Sequence, residues 1–247
     1  MSYYNHTPAK TFELAASGSA GDSVTHQYGG YGSEKYGFNR LVIGATDFKN
    51  IMCKITMNEG ESVIVDNIHL YALRHLFLHY SLLSPFIIEN NRKMEITLTN
   101  MSNEPQRANI QMTGMREQLL NQWIESNHRS GKKILKPVLL HGNAELAPLS
   151  NRMPVAFKRR QFDVKYHRLV IASSADDFND ITASLYRYQE LLKNDMFINQ
   201  YNDEFLSMRA LVEYEISSNV PVELHLSNLN SSDTHTVSFI AEGYADV

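Results

Sequence analysis

Two histidines, His75 and His79, lie four positions apart in a segment that is predicted to be helical. This spacing puts both imidazoles on one helix face, where they can hold a metal ion. His75 is followed by Leu76, so the glutamate that a zinc metalloprotease motif needs at this position is absent. Because a histidine pair without further ligands makes a weak site, the spacing favours a surface or packing role.

A second group of candidate metal ligands is the acidic cluster Asp176, Asp177 and Asp180. Carboxylates can hold Ca²⁺ together with backbone carbonyls, so a structural Ca²⁺ is the one cofactor that the sequence leaves open. The cluster lacks the alternating ladder and the terminal glutamate of a calcium loop. A solvated turn in which one aspartate caps a backbone amide is the favoured interpretation.

The third group is basic and consists of Arg152, Lys158, Arg159 and Arg160. Such a run can face the phosphates of nucleic acid or of lipid headgroups. A charged linker that pairs with acidic parts of this chain or of a neighbour is favoured, because a short basic run is weak evidence. The whole chain has 23 basic and 27 acidic residues and a net charge of −4, so specific nucleic-acid binding has no support from overall charge.

Motifs for catalysis are missing from the sequence. It contains no His-x-His cluster, no Gly-x-Ser-x-Gly elbow, no phosphate-binding glycine loop and no paired-cysteine zinc motif. The single cysteine, Cys53, lies among apolar residues in a predicted strand, so we expect it in the core. We therefore predict that the protein is not an enzyme.

The elements that carry these residues occur twice in the chain. The matched segments are Arg40–Ile43 with Arg168–Ile171, Phe77–Leu78 with Phe205–Leu206, and Glu95, Leu98 and Asn100 with Glu223, Leu226 and Asn228. All of these matches lie 128 positions apart, and an ordered series in one register is hard to obtain by chance. The sequence therefore predicts a tandem duplication, with a first β module at 36–115 and a second at 165–247.

Each module is predicted to consist mostly of strands. Apolar residues alternate with polar ones around 51–57, 94–98 and 110–112, and again around 181–185, 222–226 and 237–240. Asn-rich turns follow the middle strand of each set, at Asn100–Asn103 and Asn228–Asn230. Helical patterns at Ile68–Tyr80 and Gln189–Leu206 separate the strand groups.

The remaining segments differ in composition from the modules. Residues 1–35 are rich in Gly, Ser and Tyr, which predicts a flexible N-terminal arm. Residues 116–164 carry nine basic and four acidic residues, so this connector has a net charge of +5, and a short helix at Glu117–Glu125 holds the only tryptophan, Trp123. We find neither a signal peptide at the N-terminus nor an apolar run of 18 residues.

These patterns together indicate a mainly β protein, with two tandem jelly-roll or β-sandwich modules and short helices. In each half a first strand (Leu41–Ile43; Leu169–Ile171) leads through an Asp-Phe turn to an alternating strand. The second half then continues through Glu190–Tyr201 and closes on Val222–Asn228 and Thr236–Tyr244. In this pattern the chain resembles the double jelly-roll major capsid proteins of tailless, membrane-containing icosahedral phages, the corticovirus type.

The resemblance implies a structural protein of the virion, made in the host cytoplasm. It implies homotrimers with a pseudo-hexagonal outline that tile an icosahedral shell beside other capsid proteins. The arm and the basic connector would then reach neighbouring subunits or an inner membrane. The alternative is a tandem β-sandwich binding module, such as a phage spike, whose tyrosines stack on glycans, with Tyr28, Tyr31, Tyr186 and Tyr188 as the candidates.

Overall fold

Two β modules lie side by side in the computed structural model. It describes residues 5–16, 22–29, 34–57, 62–78, 81–156, 164–175, 178–187, 189–198, 214–216 and 222–245. All strand pairs described in both modules are antiparallel. Each module therefore buries its apolar side chains between two sheets, as in a β-sandwich.

The first module consists of a five-stranded and a four-stranded sheet. Its strands are β1 (Asn5–His6), β2 (Lys10–Leu14), β3 (Asp22–Gly29), β4 (Tyr36–Ala45), β5 (Ile51–Met57), β6 (Ser62–His69), β7 (Phe86–Ile88), β8 (Lys93–Asn100) and β9 (Gln106–Arg116). One sheet has the order β1-β9-β4-β7, with β2 also paired to β9, and the other has the order β3-β8-β5-β6.

The second module consists of two four-stranded sheets. Its strands are β10 (Lys136–Leu146), β11 (Met153–Ala156), β12 (Val164–Ser173), β13 (Ile181–Arg187), β14 (Glu190–Phe197), β15 (Tyr214–Ile216), β16 (Val222–Asn228) and β17 (His235–Ala245). The sheet orders are β10-β17-β12-β15 and β11-β16-β13-β14.

Both modules share one strand order when β1 and β2 are counted as a single interrupted strand. One sheet joins the first, eighth, third and sixth strands, and the other joins the second, seventh, fourth and fifth. This is the eight-stranded Greek-key arrangement of a jelly roll. The predicted fold class, mainly β with two tandem jelly rolls, is confirmed, and the modules are called the first roll and the second roll below.

The duplication extends to irregular backbone. The pairing of β4 with β9 shifts register between Phe38 and Arg40, and the pairing of β12 with β17 shifts between Tyr166 and Arg168. The two bulges lie 128 positions apart, the same offset as the sequence repeat. A bulge adds local twist and re-aims the residue after it, and in both rolls that residue is an arginine.

Gly114 lies opposite the bulge of the first roll, paired with Phe38. A Cβ atom at Gly114 would lie 2.0 Å from the carbonyl oxygen of Gly37 and 2.7 Å from the Cα of Phe38. Since both contacts are with backbone, no side chain larger than that of glycine fits at this position. Gly243 occupies the equivalent position in the second roll, where it pairs with Tyr166.

Two equivalent asparagines fix the turn that follows the seventh strand of each roll. The Asn100 side chain is buried and donates to the carbonyl of Ala15, at a distance of 2.7 Å. The Asn228 side chain is buried too and donates to the carbonyl of Ala147, at 3.2 Å. Ala15 and Ala147 directly follow β2 and β10, so the predicted Asn-rich turns are tied to the same strand in both rolls.

Two α-helices are described in full, and a single turn of 3-10 helix lies at Phe178–Asp180. Helix α1 (Leu70–Leu78) lies inside the helical segment predicted for the first module, and α2 (Glu117–Arg129) extends the predicted Trp123 helix by four residues. No helix in the described part of the chain is long and apolar enough to cross a membrane.

The helix predicted at Gln189–Leu206 is wrong in its first half, because β14 occupies Glu190–Phe197 and pairs with β13. In this strand Leu192 and Met196 pack against the core of the second roll, whereas Leu191 is exposed. The apolar spacing fitted a helix, but strand pairing satisfied the backbone groups of this segment instead. The rest of the predicted helix, residues 199–206, lies outside the described residues.

The predicted domain boundaries differ from the structure at two places. Residues 10–14 and 22–29, expected in a flexible arm, form β2 and β3 of the first roll, with Phe12 and Leu14 buried. The expected connector, 116–164, contains α2 together with β10 and β11 of the second roll. Both corrections have one cause, because a jelly roll needs its first two strands to complete both sheets.

Candidate functional site

A buried polar site lies where the two rolls meet. Helix α1 and strand β6 of the first roll cover the outer face of β10, β17 and β12 in the second roll. This contact face consists of buried side chains from the three strands, namely Leu139, Val170, Ala172, Ser238, Ile240 and Glu242. The four apolar members belong to the same hydrophobic cluster as the core of the first roll. The contact therefore joins the two rolls through shared apolar packing.

A buried ion pair lies at one end of the contact face. Arg168 follows the bulge of β12 and pairs with the carboxylate of Glu242 on β17. Its Nη1 also donates to the carbonyl of Leu76 in α1, at 2.8 Å. The Tyr244 hydroxyl donates to Glu242 and accepts a bond of 2.6 Å from the backbone N–H of Leu83. Because both charges are hydrogen-bonded on several sides, the pair can be buried and can hold the first roll against the second.

The Tyr244 hydroxyl stays protonated in this network. Burial and the neighbouring carboxylate of Glu242 both raise its pKa far above the ordinary tyrosine value. The hydroxyl can therefore keep donating to Glu242, and it serves as a fixed bridge between the carboxylate and the first roll.

A buried histidine lies near the centre of the contact. The backbone N–H of His69, at the end of β6, donates to Ser238 Oγ at 3.0 Å, and His69 Nδ1 lies 2.6 Å from the same oxygen. Burial lowers the pKa of His69 to about 4. The neutral imidazole can then accept the Ser238 hydroxyl proton, so this second link between the rolls depends on an uncharged His69.

Polar contacts and a cavity border the buried part. Asn143 Nδ2 donates to the carbonyl of Asn67 at 2.9 Å, and Lys49 Nζ donates to the carbonyl of Ala175 at 2.9 Å. A cavity of about 470 Å³ lies alongside, with β6, Trp123 and the start of β10 in its walls. A buried, hydrogen-bonded junction of this kind fixes the orientation of the two rolls and makes the chain one building block.

The predicted metal ligands do not come together among the described residues. His75 lies on α1 with its ring stacked on that of Tyr71, and the centroids are 5.7 Å apart, whereas His79 lies outside the described residues. Asp180 ends a short 3-10 helix and accepts a hydrogen bond of 3.1 Å from the side-chain amide of Asn230. Asp176 and Asp177 lie outside the described part, and within it no three His, Cys, Asp or Glu side chains form a group that could hold a metal.

Only one member of the predicted basic run is described. Arg152 Nη2 pairs with Asp195 Oδ2 at 3.0 Å on the surface of the second roll. Hydrogen bonds from Ser184 and from Arg152 lower the pKa of Asp195. Lys158, Arg159 and Arg160 lie outside the described residues.

The predicted core cysteine is confirmed, and one predicted glycan-stacking residue is corrected. Cys53 is buried in β5, and this burial raises the pKa of its thiol. Tyr28 is also buried in the core of the first roll, so its ring cannot stack on a sugar. Tyr186 is half-buried with its ring 4.3 Å from that of His225. Tyr31 and Tyr188 lie outside the described residues.

Sequence reasoning missed the residues of the contact face. A signal was present, since Arg40 and Arg168 match in the repeat while their partners across the sheet, Thr113 and Glu242, do not. The arginine is present in both rolls, but the carboxylate opposite it is present only in the second. Such a difference between two copies of a module marks a place where the copies have different neighbours.

No protein-family model matches the chain, and no curated protein matches it either. Among solved structures, it is similar to one described as "Crystal Structure of the STIV MCP", at 13% identity and a TM-score of 0.48, over 98% of this chain and 96% of that chain. It is also similar to a chain from "Life in the extremes: atomic structure of Sulfolobus Turreted Icosahedral Virus", at 12% identity and a TM-score of 0.47. That likeness covers 98% of this chain and 90% of the other.

Proposed function

We propose that the protein is a major capsid protein that forms homotrimers and tiles an icosahedral shell. The observation that carries the proposal is the pair of complete jelly rolls with one strand order, locked side by side through a buried contact. A subunit of a closed shell must be rigid and must present similar side surfaces to its neighbours. Two rolls of one strand order in a fixed, buried contact meet both requirements.

The contact between the two rolls is of a kind that can repeat between chains and close into a ring. The contact within the chain is heterologous, since α1 and β6 of one roll meet the outer sheet face of the other. Heterologous contacts generate rings when the rotation between units closes. Three copies that repeat the contact between chains would give six rolls around one axis, a block with a pseudo-hexagonal outline that packs in a plane.

The proposal also concerns the kind of virus and the surface that the basic run faces in the shell. The sequence resemblance favours a tailless phage with an inner membrane, whereas one of the two similar solved structures is of Sulfolobus Turreted Icosahedral Virus. The basic run of Arg152, Lys158, Arg159 and Arg160 would face that membrane or the genome. Reversing the charges of Lys158, Arg159 and Arg160 should then lower particle yield or membrane association. Unchanged assembly with unchanged lipid content would remove the run from the proposal.

Solution mass and particle shape test the main proposal. Light scattering of the purified protein should give three times the chain mass of 28.2 kDa, and negative-stain images of that peak should have six lobes. A protein that remains monomeric at every accessible concentration would contradict the capsid proposal. Glycan arrays would then test the binding-module alternative, for which Tyr186 is the described candidate.

A further inference from the structure

The outer face of the β4–β9 sheet is the first roll's counterpart of the contact face. Three cross-strand pairs correspond one to one between the two rolls. In the first roll they are Arg40–Thr113, Val42–Gln111 and Gly44–Asn109, and in the second roll they are Arg168–Glu242, Val170–Ile240 and Ala172–Ser238. The pairs Val42–Gln111 and Gly44–Asn109 are called the open face below, since Thr113 is buried already in the single chain.

The two faces differ in exposure within one chain. Val170 is 3% exposed under the first roll, whereas its equivalent Val42 is 44% exposed. Gly44 and Asn109 are exposed as well, where Ala172 and Ser238 are buried. The open face is also more polar, because Gln111 stands where the contact face has Ile240.

The strand that would cover the open face is available on the second roll. In the described chain β6 of the first roll lies across β10 and β17, and β14 has the place of β6 in the second roll's strand order. The likeness includes strained backbone, since Asn67 in β6 and Asp195 in β14 have positive φ values of 52° and 38°. These two residues again lie 128 positions apart.

An exposed leucine on β14 has its counterpart beside the contact within the chain. Leu191 is 45% exposed, and its equivalent Val63, which is 44% exposed, lines the cavity at the border of the contact between the two rolls. Leu191 and Val42 are thus both exposed apolar residues at positions whose equivalents lie at or beside the junction of the rolls. Exposed apolar residues that match a built interface mark a surface for association.

We propose that the open face docks β14 of a second copy of this chain, so that the contact between the rolls recurs between subunits. The inference rests on the proposed capsid function and names the surface that the trimer uses. The greater polarity of the open face fits this use, because a face that is exposed before assembly must remain soluble, whereas a permanently covered one need not.

Single charges on the two halves of the contact test the inference. Val42→Asp on the open face should weaken trimer formation roughly tenfold or more, since it buries an unpaired carboxylate in the assembled contact. Leu191→Asp on β14 should weaken it by a smaller factor, because the equivalent Val63 stays 44% exposed at the border of the contact within the chain. Both side chains are exposed in one chain, so the variant monomers should keep the wild-type unfolding midpoint. Thr25→Asp is the matched control, with the same charge added to an exposed position on the first roll's other sheet.

Cross-linking gives a second readout that does not depend on lost association. Within the chain Asn143 contacts Asn67, and the equivalents of these residues are Thr11 and Asp195. A Thr11→Cys, Asp195→Cys variant treated with a short bismaleimide should give covalent trimers, and either single variant should give none. The buried Cys53 should not react.

The outcomes separate this inference from the proposed function. Failure of the wild-type protein to trimerise would overturn the capsid proposal and the docking surface with it. Wild-type trimers that tolerate Val42→Asp and Leu191→Asp as well as Thr25→Asp, without cross-links, would overturn the docking surface alone. Charge variants that still form normal trimers but no longer assemble into shells would also overturn the docking surface within the trimer. The open face would then contact a partner outside the trimer.

Discussion

The two rolls have the same strand order, but the outer sheet face that is covered in the second roll is exposed in the first. The second roll turns a face of Val170, Ala172 and Ile240 into the core of its neighbour, whereas the equivalent face of the first roll carries Gly44 and Gln111 and stays open. Strand order, bulges and turn asparagines are therefore properties of the duplicated fold. The side chains on the outer faces have diverged with the neighbours that each roll meets.

The bulge arginines make the comparison sharper. Arg168 lies in a buried network with Glu242 and the first roll, whereas Arg40 follows the same bulge opposite Thr113. Glu242 supplies a carboxylate where the first roll covers Arg168, because a buried guanidinium without a paired charge is costly.

The largest effect is expected from the glycine opposite the first bulge. Gly114→Ala places a methyl group against backbone atoms of Gly37 and Phe38, so it should cost about 4 kcal/mol or more, or prevent folding. Gly142→Ala in the second roll has the ring of Phe239, rather than backbone, as its nearest neighbour and should cost about 1–3 kcal/mol. Urea unfolding of both variants measures the difference. Equal losses would mean that the first bulge tolerates a Cβ.

The bulge arginines should differ next. Arg168→Met leaves the Glu242 carboxylate buried without its partner and should lower the free energy of unfolding by about 3–5 kcal/mol. Arg40→Met changes an arginine whose cross-strand neighbour is the hydroxyl residue Thr113, so no buried carboxylate is left on the facing strand and the monomer should lose about 1 kcal/mol or less. Denaturant titration of each monomer compares them. Similar losses would argue that the two arginines have the same structural role.

Acid should weaken the contact between the rolls through His69. The folded pKa is about 4, below the ordinary histidine value near 6.5, so the unfolded chain binds this proton more readily. The stability gained from neutral His69 is present above about pH 6.5 and is lost as pH falls toward 4, by up to about 3 kcal/mol. Its equivalent on β14, Phe197, cannot titrate, so the proposed contact between subunits has no such dependence.

Unfolding measured between pH 7 and pH 4 tests this step. His69→Gln can still accept from Ser238 but does not titrate, so its stability should fall less than that of the wild type in this range. Parallel curves for the two proteins would exclude His69 as a source of the acid sensitivity.

The strand plan of the rolls was largely predictable from sequence. Alternation at Ile51–Met57 and at 181–185 predicted strands correctly because side chains alternate between the two faces of a strand, although β5 and β13 are buried on both faces. The Gln189–Leu206 segment was predicted wrongly at its start because its apolar spacing fits a helix as well as a strand. The first strands, β2 and β10, were missed because they lie outside the repeated segments and their pairing partners are distant in sequence.

The sequence by itself determined that a β module occurs twice, that its turns depend on asparagines such as Asn100 and Asn228, and that Cys53 is buried. These features follow from local patterns and from comparing the chain with itself. Only the tertiary structure decided that Arg168, Glu242 and His69 meet at a junction, and that the matching face with Val42 stays open. Burial and charge pairing depend on which surfaces come together, and two copies with one local pattern acquire different neighbours only when the whole chain is folded.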